Sequence, residues 1–114
     1  MPSLILHIDE IIENTLKNSV VKAIEKNMIK IIEEELEAEK NNCQIIWVRS
    51  KILSSNYKIF GELKFREKTT RNIKRRKDCL KQISEILQKK FNVSVRLRAF
   101  SIKEETITAL DFEN

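Results

Sequence analysis

Between residues 8 and 39, apolar side chains return every four residues: Ile8, Ile12, Leu16, Val20, Ile24, Met28, Ile32 and Leu36. Ile5, Ile11, Val21, Ile29 and Ile31 stand beside them, and Glu13, Lys17, Lys22, Glu25, Lys26 and Lys30 fill the remaining face. That spacing predicts an amphipathic helix, capped by Asp9 and ended by Lys40, Asn41 and Asn42. A four-residue step overshoots a helix of about 3.6 residues per turn by about 40°, so over this length the stripe drifts most of the way round. The segment is therefore either two helices, broken near Asn18-Ser19 or Asn27, or one long helix with apolar surface on more than one side. The long form calls for a partner, most simply a second copy in a homodimer through residues 8–39.

After Asn42 the period changes. Residues 43–49 (CQIIWVR) are a short β-rich run holding the only tryptophan, Trp47. Residues 57–66 alternate, with Tyr57, Ile59, Gly61, Leu63 and Phe65 on one face and Lys58, Phe60, Glu62, Lys64 and Arg66 on the other. These two runs read as an antiparallel hairpin. Gly61 within the second predicts a bulge or the close approach of another backbone. Thr69 or Thr70 caps a helix running to about Lys90, with Ile73, Leu80, Ile83, Leu87 and Phe91 as its stripe and Asn92 beyond its end. Residues 93–102 alternate again, Val93, Val95, Leu97 and Ala99 pointing inward, and residues 106–112 return as a last short strand. The expected fold is one α+β domain over residues 1–114. It has a small, mainly antiparallel sheet in the order α-β-β-α-β, a further β at its end, and helices packed on one face.

Composition changes this picture little, except through charge. Of 114 residues 41% are apolar and 34% charged, the balance of a folded chain. The cysteines, Cys43 and Cys79, lack metal-site spacing, and two reduced thiols in a cytoplasmic protein are expected. No leader peptide or membrane-spanning run is apparent, since Leu4-Ile5-Leu6 is cut short by His7 and Asp9. Charge is uneven. Residues 1–40 hold five Lys against nine acids, whereas Lys64 to Lys81 hold nine cations against Glu67 and Asp78.

That basic stretch dominates the functional reading. Lys64, Arg66, Lys68, Arg71, Lys74, Arg75, Arg76, Lys77 and Lys81, extended by Arg96 and Arg98 on the next strand, predict a phosphate-binding face for nucleic acid, DNA or RNA, with little base readout. On a helix Arg71, Lys74, Lys77 and Lys81 share one side, while Arg76 falls inside the apolar stripe. The element order is shared with KH-type RNA-binding domains, whose backbone-clamping GxxG loop is missing here because Gly61 is the only glycine. A second resemblance rests on Glu62-Leu63-Lys64. This acid-x-Lys form is used by PD-(D/E)xK nucleases, in which the carboxylate holds Mg²⁺ and the lysine activates water. No acid between Lys40 and Gly61 supplies the other ligand such a site needs.

The remaining chemistry is sparse. His7 is the only histidine, so neither a histidine metal cluster nor a nucleophilic triad can be assembled. Cys79, close to Arg75, Arg76 and Lys77, is either an activated or a buried structural thiol, and its place beside the helix stripe favours the latter. The sequence predicts a non-enzymatic domain with no cofactor, no metal and no evident small-molecule substrate. An oligomeric structural or adaptor subunit is the alternative.

Overall fold

The computed structural model describes residues 2–114. Its first element is a strand, β1 (Ser3–Asp9), followed by the short helix α1 (Glu10–Glu13) and then α2 (Asn18–Glu35). The chain continues through β2 (Gln44–Ser50), β3 (Tyr57–Arg66), α3 (Ile73–Phe91) and β4 (Ser94–Ile102), and ends in a 3₁₀ turn at Glu104–Thr106. Residues 107–114 form no regular element.

The strands lie in the order β2-β1-β3-β4. β1 pairs parallel with β2 and antiparallel with β3, and β3 pairs parallel with β4. The sheet is thus mixed, and two of its three pairings are parallel, contrary to the mainly antiparallel expectation. Each parallel pair is a βαβ unit, β1-α2-β2 or β3-α3-β4, and the two units meet back to back along β1 and β3. A parallel pair needs a long crossover, and the two long helices provide it. The expected hairpin of residues 43–49 and 57–66 does not form, because β1 lies between them.

β1 is the element that the four-residue pattern conceals. Leu4, Leu6 and Ile8 alternate into the core and are fully buried, while Ser3, Ile5 and His7 line the opposite face. Ile8, first in the helical repeat, is in fact the last core residue of this strand. Asp9 then turns the chain: its carboxylate accepts from Ile11 N at 3.2 Å and from Ile52 N at 3.0 Å, starting α1 and tying down the loop after β2.

Both long helices cover the sheet face made by Leu4, Leu6, Ile8, Ile59, Leu63 and Phe65. α2 contributes Ile24, Met28 and Ile32, α3 contributes Cys79, Ile83 and Leu87, and Leu36 closes the end of α2. Trp47 anchors β2 to α2, its indole Nε1 donating to Glu25 Oε1 at 2.6 Å. Gly61 is buried beneath this layer. A Cβ at Gly61 would lie 2.6 Å from Leu97 Cδ2 and 2.7 Å from Leu6 Cδ2, so close approach, here by side chains, explains the glycine.

α3 is capped by Asn72, not Thr69 or Thr70; the Asn72 side chain accepts from Arg75 N at 3.0 Å. Asn92 ends it in the left-handed conformation, with φ 52°. The last expected strand, at 106–112, is absent, and β4 has no partner on its outer side. No described helix is long and apolar enough to cross a membrane.

Candidate active site

The residues of the basic stretch do not converge on one face. Arg71 is buried; its Nε donates to Leu36 O at 2.6 Å and an Nη to Arg66 O at 2.9 Å, binding the end of β3 to the C-terminus of α2. Burial pulls the Arg71 guanidinium below its ordinary pKa, with Glu37 opposing. Arg75 turns toward α2, meeting Glu35 Oε2 at 3.3 Å and Glu34 O at 2.7 Å. Arg66 pairs with Glu104 at 3.1 Å and Lys74 with Asp78 at 3.6 Å. Lys77 and Lys81 are exposed along α3.

Other members occupy the helix-free face of the sheet. There Lys64 Nζ stands 6.0 Å from the centre of the Phe100 ring, and the Arg96 guanidinium 4.2 Å from that of Tyr57. Arg98 neighbours Glu62 across the β3–β4 pairing. Glu62 therefore sits in an ordinary cross-strand row, and no group of three metal-ligating side chains occurs among the described residues.

What does converge is a cleft at the N-terminal end of β1. Pro2, its side chain fully buried, forms one wall of a cavity of about 280 Å³. Ala38, Glu39 and Asn42, from the link between α2 and β2, form another, and Arg66, Glu67, Lys68, Arg71 and Glu104 close it. Local folding explains the assembly. Gln44 N donates to Pro2 O at 3.1 Å, extending the β1–β2 pairing past the strand, and Glu67 N donates to Ile102 O at 2.8 Å. Arg71 N donates to Lys68 O at 2.9 Å, turning the loop back over the cleft. Three cations and three carboxylates thus surround the only proline in the chain.

Sequence reading included Arg66, Lys68 and Arg71 as phosphate contacts, but missed Pro2, Glu39, Asn42 and Glu104. A signal for Pro2 was available: the single proline stands at position 2, directly ahead of an alternating run. The thiols take no part in the cleft lining. Both are free, and burial, with Glu35 and then Cys43 adding to it, pushes Cys79 up to about 12. Cys43 is raised to about 11 by burial and then Glu33. Cys79 is therefore a structural thiol.

No family model and no curated relative matches the chain. Solved structures do share its fold. A member of the cis-3-chloroacrylic acid dehalogenase family, N1, aligns with TM-score 0.74 and 13% identity over 94% of this chain and 79% of that one. Pt0534, in a structure inactivated by 2-oxo-3-pentynoate, aligns with TM-score 0.76 and 11% identity over 94% and 90%. The macrophage migration inhibitory factor-like protein of Entamoeba histolytica aligns with TM-score 0.72 and 12% identity over 95% and 94%.

These likenesses overturn the nucleic-acid, nuclease and adaptor readings. The fold is neither the KH-type order nor a nuclease core, and it is shared instead with these three structures. The cations are also divided: Arg71 and Arg75 are held against α2, Lys64, Arg96 and Arg98 lie on the helix-free face of the sheet, and Lys77 and Lys81 are exposed along α3. Residues 8–39 do not form the one apolar helix from which the homodimer was expected, because they are divided among β1, α1 and α2. Ile8 belongs to β1, and Ile24, Met28 and Ile32 face the core from α2, while Ile11 in α1 is left exposed.

Proposed function

We propose that this protein is a proton-transfer enzyme for small 2-oxo acids, and that Pro2, freed of Met1, supplies the base. The observation that carries this reading is the position of Pro2 in the wall of a small cleft that also holds Lys68, Arg66 and Arg71. An N-terminal proline presents a secondary amine. An α-amino group has an ordinary pKa of about 7.7–8.0 against about 10.4 for lysine, so roughly a tenth of it is free base at pH 7, a far larger share than a lysine offers.

A 2-oxo acid suits such a cleft because its carboxylate finds cations there and its acidic C–H lies next to a ketone. The amine takes the proton from C3, the C–H electron pair becomes the enol double bond, and negative charge gathers on the ketone oxygen. Lys68 and the guanidinium groups stabilise that charge. Return of the proton to oxygen, or to another carbon, completes a keto–enol interconversion with no atom gained or lost. Glu39 and Glu67 are the carboxyl groups placed to carry that proton. The neighbours' names support the substrate class: chloroacrylic acid and 2-oxo-3-pentynoate are both short unsaturated acids.

The test has two parts. Intact-mass measurement should show loss of Met1, and NMR in D₂O should show catalysed exchange of the C3 protons of 2-oxobutanoate. Extending the N-terminus with a residue that is not removed blocks the amine while leaving the fold intact, and should cut the rate by about 10²–10⁴, the usual contribution of general acid–base catalysis. An extended protein as fast as the parent would sink the reading.

A further inference from the structure

A second cleft adjoins the first. It has a volume of about 780 Å³ and shares Glu67, Lys68 and Arg71 with the Pro2 cleft. Beyond them it is lined by Lys74 and Arg76 at the start of α3 and by Lys103 after β4. Five cations thus face one carboxylate, Glu67, although Lys74 also leans on Asp78 at 3.6 Å. Arg76 is the informative member. Its Nε is buried and lacks a hydrogen-bond partner among the described residues. Buried donors nearly always have a partner, and a guanidinium N–H left without one is costly. The Nε itself is shut off from the cleft, so an anion seated there meets the rest of the Arg76 guanidinium.

Resting on the Pro2 reading, we infer that the acid handled there carries a second anionic group, which seats in this cleft against Arg76 and Lys103. The first carboxylate lies near Lys68, on the boundary the two clefts share, and the reacting carbon faces Pro2. The same positive lining that suggests a polyanion site in the sequence is, in the fold, a recess sized for one end of a small molecule. A carboxylate and a phosphonate satisfy the same donors, so the experiment separates them.

The experiment compares C3-proton exchange for 2-oxobutanoate, 2-oxoglutarate and 3-phosphonopyruvate. At least one dianion should exceed the monoacid tenfold or more in kcat/KM, and the better one identifies the second group. Arg76→Gln and, separately, the exposed Lys103→Ser should erase most of that preference, with 2-oxobutanoate as the internal control. Equal kcat/KM for all three acids with the unaltered protein would overturn the inference. A binding arm needs no turnover: glutarate, but not propanoate, should shift the Arg76 Nε–H resonance. If no acid exchanges, the Pro2 reading fails and this shift alone decides the cleft. An unmoved resonance, or one moved equally by propanoate, would refute it.

Discussion

Single residues set hard limits on this fold, and Asp9 shows how. Its carboxyl is held below the usual carboxylate range chiefly by the Ile52 N–H, with burial opposing and the Ile11 N–H and Lys58 assisting. A depressed carboxyl contributes stability that is present above its unfolded pKa, about 3.9, and is lost as pH falls through the folded value. Asp9→Asn should therefore lower the melting temperature at pH 7 and flatten the acid side of the stability curve. Parallel curves for parent and variant below pH 5 would contradict this. Gly61 sets two effects against each other. Alanine in a strand recovers about 0.5–1 kcal/mol of backbone entropy relative to glycine. Forcing a Cβ against buried Leu6 and Leu97 costs about 1–3 kcal/mol in strained packing. Packing wins, and Gly61→Ala should lower the urea midpoint by an amount equivalent to about 1–2 kcal/mol. An unchanged midpoint would show that the leucines can move aside.

Among the elements, α3 and the two strands β3 and β4 were legible because each has one clean period. β1 was not, for a physical reason: Ile5 and Ile8 lie on opposite faces of the strand yet extend a helical four-residue series, and nothing in seven residues distinguishes the two periods. Pairing was illegible for a different reason. Alternation says which side chains point inward but not which strands are neighbours, so a sheet centred on β1 and β3 looked like a hairpin of β2 and β3. The cap of α3 was misread within the run Thr69-Thr70-Arg71-Asn72, where three residues are good N-caps. The hydrogen bond selects Asn72, and Asn72→Ala should destabilise the protein by about 1 kcal/mol, whereas Thr69→Ala and Thr70→Ala should each change it by a few tenths. Thermal unfolding of the three variants decides it; equal losses would reject the assignment.

At the scale of the molecule, the cations that looked like one patch join layers and line clefts. The fold made this so by placing the β3–α3 loop beside the N-terminal end of β1, a contact no local pattern encodes. Arg71 concentrates the effect: it fastens the C-terminus of α2 to the end of β3, lies 5.8 Å from the Phe65 ring centre, and lines both clefts. Lysine keeps the charge but has no planar fork to reach Leu36 O and Arg66 O together. Losing one charged hydrogen bond at a buried site costs about 1.5–3 kcal/mol, so Arg71→Lys should lower stability by about 2 kcal/mol. Because the same side chain sets the wall between Pro2 and Arg76, the variant should also raise KM for the preferred acid while the protein remains folded at 25 °C. Urea unfolding and exchange kinetics on one sample measure both. A loss of stability with unchanged KM would mean that Arg71 holds the layers together without shaping the clefts.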